Sequence, residues 1–283
     1  MTISVLQSWS QLFLPRLLTR CVKIGSAGCL LFSANAFCAQ MFFSGESPFA
    51  NLHINGEIVK GDYHKMLSLI KQQQDIPQTL LLNSKGGNVM EALKIGTFVR
   101  KYLLSFESKK CNSACVFISL GSVNHSDDKR GVFGLHRPKF NRQFFAKLNA
   151  EQATLKYRSL RSFVEKYMLA MGATKALVDK MFATPSNSMS YVPKQTVYKM
   201  HNSPPEGYSE WIISKCGGDL TDRERRDLYD FYSNRSLFSE KYFAKLDGKS
   251  TEHFHCELEA VRTEQVRLFK QNVMFQPQQF PIN

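Results

Sequence analysis

Cys111-Asn112-Ser113-Ala114-Cys115-Val116-Phe117-Ile118 sets a serine among small residues where an apolar run begins. Twenty-three residues after that serine, Gly134-Leu135-His136-Arg137-Pro138 ends a β-like run on a histidine, and the proline stops the strand. A serine at a helix start and a histidine at a strand end supply a nucleophile and a base. Upstream, Leu81-Leu82-Asn83-Ser84-Lys85-Gly86-Gly87 reads as a strand running into a diglycine turn, whose bare backbone N–H groups can face a developing oxyanion. Taken singly, a serine beside small residues is more often packing, and His-Arg-Pro is more often a strand terminus. The ordered set is far more specific: strand, diglycine turn, helix, strand, serine-headed helix, strand, histidine.

Outward from this set, residues 51–60 read as a strand with a glycine turn, and Asp62 caps a helix over 62–74 whose apolar face is Met66, Leu67, Leu69 and Ile70. A buried-type strand spans 79–82. Val89, Leu93, Ile95, Val99 and Leu103 then recur at helical spacing. Residues 105–109 fit a strand, 113–121 the serine-headed helix, and 131–136 the strand that carries His136. Strands alternating with helices in crossover units indicate a layered α/β fold. Residues 139–148 interleave Lys139, Arg142 and Lys147 with Phe140, Phe144 and Phe145, as a cover over the sheet edge or a lip beside His136. A long helix follows over 150–171. Pro204-Pro205-Glu206-Gly207 is the domain boundary, and beyond it 219–246 and 251–270 read as two charged helices joined near Asp247-Gly248-Lys249.

The formal charge is +13, with 37 Lys and Arg against 24 Asp and Glu. The first 39 residues contain three basic side chains and no acid, so the rest of the chain carries +10. That surplus favours acidic partners or an anionic membrane surface. No basic-aromatic module of the RNA- or DNA-binding kinds is present, and nucleic acid is not an expected partner.

Residues 1–39 read as an export signal. Arg16, Arg20 and Lys23 precede a short apolar and small run over 24–36, and small residues at Ala34, Ala36 and Ala39 suit signal peptidase. The run is shorter than the roughly 20 residues of a permanent span, although retention as a membrane anchor is the alternative. The expected compartment is the periplasm, and the domain plan is a signal over 1–39, an α/β domain over 40–203 and a helical section over 204–283. Cys111, Cys115, Cys216 and Cys256 remain after the signal. Four cysteines in an oxidising compartment imply disulfides, with three pairings open. Cys216–Cys256 is the favoured one, joining two C-terminal helices. A Cys111–Cys115 bridge would close a very short loop around the serine and serve local shape. His253-Phe254-His255-Cys256 holds metal-capable residues, but no second ligand cluster has matching spacing, so no metal or other cofactor is expected.

The ordered set resembles the proteolytic subunit of Clp protease, within the wider Clp/crotonase fold, and within that family its exported branch. The family's Asn-Ser-Pro-Gly-Gly turn is similar to Asn83-Ser84-Lys85-Gly86-Gly87, its nucleophile matches Ser113, and its histidine matches His136; the resemblance covers residues 48–200. It implies an α/β spiral of β-β-α units, followed here by a C-terminal α-helical extension. It further implies a serine peptidase or hydrolase acting on peptide or protein, with Ser113 as nucleophile and His136 as base. The oxyanion donors fall at Gly86 or Gly87 together with Ala114. The helix over 150–171 corresponds to one that joins subunits, which implies a homo-oligomer. An exported chain has no access to a cytoplasmic ATPase partner.

The family's third member, an aspartate roughly 50 residues after the histidine, has no counterpart: residues 183–190 contain no carboxylate. Asn187 is the nearest polar residue and an amide can orient a histidine, though it cannot compensate the imidazolium charge. Asp179 lies earlier, on a helix. The departure leaves two readings, a Ser-His hydrolase of the envelope and a catalytically inactive binding scaffold on the same fold. A crotonase-type acyl-thioester enzyme would need coenzyme A, which export argues against.

Overall fold

Three consecutive leucines at 80–82 need apolar cover on both faces and strand neighbours on both edges. In the computed structural model, which describes residues 39–47, 49–125, 131–139, 142–233 and 239–271, they lie in β3 (Thr79–Ser84). β3 sits between β2 (Asn51–Asn55) and β4 (Ser105–Asn112), parallel to both. β6 (Val132–Leu135) pairs parallel with the end of β4, through Cys111↔Phe133 and Asn112↔Gly134. Two edge strands lacked a sequence signal: β1 (Gln40–Ser44), antiparallel to β2, and β7 (Ser190–Pro193), antiparallel to β6. A two-residue β5 (Asn124–His125) pairs with the start of β4. The seven strands form one mixed sheet in the order β1-β2-β3-β4-β6-β7, with β5 off the path.

Helices cross between the parallel strands. α1 (Asp62–Gln73) buries Tyr63, Met66, Leu67 and Ile70, one stripe at helical spacing, and Asp62 accepts the Val59 N–H at 2.7 Å. α2 (Val89–Lys101) is capped by Asn88, whose side chain accepts the Glu91 N–H at 3.1 Å. α3 (Cys115–Ser119) is short and wholly buried. α2 meets the turn that follows α3 through glycines: a Cβ on Gly121 would lie 2.1 Å from the Gly96 carbonyl oxygen, so any side chain there would push the two apart. α4 (Arg142–Phe145) leads to α5 (Ala150–Ala170), which opens with a reciprocal Asn149/Gln152 cap; its Tyr167 hydroxyl donates to the Phe117 carbonyl at 2.8 Å.

α6 (Lys175–Ala183) and α7 (Lys194–Lys199) flank β7. The helical section follows as α8 (Tyr208–Cys216), α9 (Asp222–Ser233) and α10 (Glu240–Gln271). The break expected near Gly248 is absent, because α10 runs straight through it. Lys249 reaches Glu224 on α9 at 3.0 Å and Leu246 is buried, and these tertiary contacts outweigh the roughly 1 kcal/mol helix cost of one glycine. The section is anchored on the sheet body: Arg262 donates to the Ile76 carbonyl at 2.6 Å and pairs with Asp75, while Leu268 and Phe269 pack on the main core. All the described residues fall in one compact unit. The export-signal reading of residues 1–39 lies outside the described residues except for Ala39, as does Phe140.

Candidate active site at the carboxyl edge of the sheet

The parallel strands β3, β4 and β6 end side by side, and the chain turns sharply after each one. A one-residue register shift between Leu82 and Asn83 marks a bulge that brings Ser84 opposite Cys111. Just beyond these ends stand Gly86, Ser113 and His136.

Ser113 lies ahead of the helix, in the turn between β4 and α3, with φ +56°. That left-handed conformation costs an ordinary residue about 1–2 kcal/mol. Several bonds hold it there. Its N–H donates to the Gly134 carbonyl at 2.7 Å and its carbonyl accepts the Val116 N–H at 3.0 Å. The sulfurs of Cys111 and Cys115 are at bonding distance, with Cα atoms 5.2 Å apart, so one bridge ties the last turn of strand to the first residue of α3 across the serine. Ser113 itself is half-buried.

The diglycine packs directly on this turn. Gly86 has φ +100°, and a Cβ on it would lie 2.6 Å from Ser113 Cβ and 3.0 Å from the Ala114 nitrogen, so only glycine permits the approach. The Gly86 N–H donates to buried Ser84 Oγ at 3.0 Å and the Gly86 carbonyl accepts from Ile58, so Gly86 has no free donor. Gly87 is exposed, and its N–H has no acceptor among the described residues. The Ala114 N–H is likewise unpartnered, although Ala114 is fully buried. A buried N–H without an acceptor is uncommon in a folded protein.

His136 follows β6 directly. Because Asn112 pairs with Gly134, Ser113 and His136 extend from adjacent strands at the same edge. The His136 Nδ1–H donates to the Arg137 carbonyl at 2.8 Å, which leaves Nε2 as the acceptor of the neutral ring. No hydrogen bond joins His136 to Ser113 Oγ. Asn187 is exposed in the loop before β7 and makes no hydrogen bond to His136 among the described residues, while that loop touches the site through Thr184, whose carbonyl accepts the Arg137 N–H at 3.0 Å. Asp179 is engaged on α6 with Lys175.

The Arg137 carbonyl and Ser84 Oγ were both invisible in the sequence. Every residue carries a carbonyl, and Ser84 reads as part of a strand until its hydroxyl is seen turning back on the diglycine. At the far end of the chain, Cys216 and Cys256 are at bonding distance with Cα atoms 5.6 Å apart, joining α8 to α10. No cluster of three or more metal-capable side chains exists among the described residues, and none of their helices is long and apolar enough to cross a membrane.

No protein-family model matches the chain, and no curated protein matches it. Among solved structures, a mutant of the 1510-N membrane-bound stomatin-specific protease matches at 13% identity with a TM-score of 0.37, over 59% of this chain and 84% of its own. A TM-score that low adds nothing to the architecture described above.

Proposed function

We propose that this chain is an exported serine hydrolase acting on peptide or protein substrates, built on a Clp/crotonase-like arrangement of its α/β body. Ser113 is the nucleophile and His136 Nε2 the base that takes its proton. The Gly87 and Ala114 N–H groups hold the oxyanion of the tetrahedral intermediate. One observation carries the reading: a serine fixed in a left-handed turn between strand and helix, beside two backbone donors without acceptors. Strain of this kind persists where surrounding contacts enforce it, and it concentrates at functional sites. The Arg137 carbonyl takes the place of the aspartate, holding the ring in the tautomer that can accept from serine. Unlike a carboxylate it cannot compensate the imidazolium charge, so the reading includes a slow enzyme.

Export is supported by the acid-free basic start and by two cysteine pairs at bonding distance, which suit an oxidising compartment. Ala39 is fully buried and its carbonyl accepts from Lys65 at 2.6 Å, which supports trimming after Ala36 and not after Ala39. The missing Ser113–His136 hydrogen bond favours the second reading, a binding scaffold. Turnover of an activated ester or a fluorogenic peptide separates the two. A hydrolase loses about 10³-fold or more on Ser113→Ala and on His136→Ala. Folded wild-type protein with no turnover is the scaffold.

A further inference from the structure

The polypeptide that follows His136 is strongly basic. Residues 136–162 contain seven Lys or Arg and a single acid, Glu151. Of these, Lys139, Lys147, Lys156, Arg158 and Arg161 are exposed and Arg137 is half-buried. None of the six forms an ion pair among the described residues; Arg161 is stacked on Phe182 with its guanidinium carbon 5.0 Å from the ring centre.

The fold carries this charge to the site. α2 and α5 run the same way, from the carboxyl edge of the sheet to its amino edge. The Tyr167 hydroxyl lies beside Gly96, and the Met171 carbonyl, just past the end of α5, accepts from Arg100 at 2.9 Å. Counting back from these contacts, α5 draws level with the start of α2 near Leu160. The ten residues before that, roughly 15 Å of helix at 1.5 Å per residue, project past the edge where Ser113 and His136 stand. Burial agrees: the only buried residues of α5 are Val164, Tyr167 and Met168.

We propose that this overhang is the substrate-docking surface of the site, and that it selects polypeptide segments rich in Asp and Glu. The proposal rests on the hydrolase reading for the word substrate. Charge complementarity argues for the occupant: Lys139 and Lys147 ahead of the projecting helix, with Lys156 and Arg158 on it, attract acidic chain by long-range steering. Exposed Phe144 and Leu155 offer apolar contacts between the charges.

Binding is measured on full-length Ser113→Ala protein, so the result does not depend on turnover. Two labelled peptides, one carrying Glu residues and one the same sequence with Gln, are compared by fluorescence anisotropy at about 20 mM and about 300 mM salt. The acidic peptide binds about tenfold or more tighter at low salt, and the preference disappears at high salt and in Lys156→Glu/Arg158→Glu, checked for folding by circular dichroism. Equal binding of the two peptides, or an unchanged preference in the double variant, overturns the proposal. So does charge-dependent capture of phosphatidylglycerol vesicles without any peptide preference, which makes the overhang a membrane-facing surface, and so does a homo-oligomer that the Lys156→Glu/Arg158→Glu variant dissociates, which makes it the subunit contact. Loss of Ser113-dependent turnover with the peptide preference intact overturns the hydrolase reading alone.

Discussion

Lowering the pH strikes one buried contact of this fold before others. His125, on β5, is stacked on Tyr198 with ring centres 4.1 Å apart, and its Nε2 lies 3.1 Å from His201 Nδ1. His201 Nε2–H donates to the Met171 carbonyl at 2.8 Å, so its Nδ1 is an acceptor and His125 Nε2–H is the donor to it. Ser122 Oγ lies 3.1 Å from the remaining His125 nitrogen. Burial disfavours the charged form of both rings. Burial, then the neighbouring His201 and the Arg100 guanidinium, push the His125 pKa from 6.5 down to about 3. His201 is lowered as well, chiefly by burial.

The sign follows directly. The unfolded chain takes up the proton below about pH 6.5, whereas the folded protein refuses it until about pH 3. The stabilisation is complete above the unfolded value and drains away as pH falls toward the folded one. Between about pH 7 and about pH 4.5, His125 alone costs roughly 2–3 kcal/mol, at about 1.4 kcal/mol per pH unit. Urea unfolding followed by tryptophan fluorescence measures this, with His125→Gln as the comparison. Its amide cannot titrate but can still donate to His201. Wild type should lose about 2 kcal/mol more than the variant over that window, since the carboxylates common to both cancel. Parallel losses in the two proteins would refute the buried neutral pair.

Gly86→Ala should abolish turnover and sharply lower the folded yield, read by activity and circular dichroism, because its Cβ would sit 2.6 Å from Ser113 Cβ at φ +100°. Asn187→Ala should leave the rate of fluorophosphonate labelling within about twofold of wild type, since Asn187 makes no hydrogen bond to His136. Replacing Cys216 and Cys256 together by serine should lower stability by about 4 kcal/mol on the loop-entropy relation for a bridge 40 residues apart, measured by urea unfolding with the thiols blocked.

The apolar runs announced the middle of this fold. Leu80 to Leu82 and the helical spacing of Leu93, Ile95 and Val99 place β3 and α2, because burial on both faces or on one stripe leaves a period in the sequence. β1 and β7 left none. They are short edge strands whose partners are fixed by tertiary pairing, and their residues alternate too briefly to read. Ser113, His136 and the diglycine were legible as chemistry in order along the chain. Which glycine keeps a free N–H was not legible, since that turns on one hydroxyl, Ser84, folding back onto Gly86. Nor was the partner of His136, because a backbone carbonyl has no residue type. The α9–α10 junction was misread at Gly248, where contacts from Lys249 and Leu246 override the local helix penalty.

The central claim is that Ser113 is a nucleophile activated by His136. The direct measurement is reaction of the folded, oxidised protein with a fluorophosphonate, followed by intact mass and peptide mapping of the adduct. The account predicts one adduct per chain, on the peptide containing Ser113, absent from Ser113→Ala and from His136→Ala. An adduct on another serine, or labelling that persists undiminished in Ser113→Ala, contradicts it.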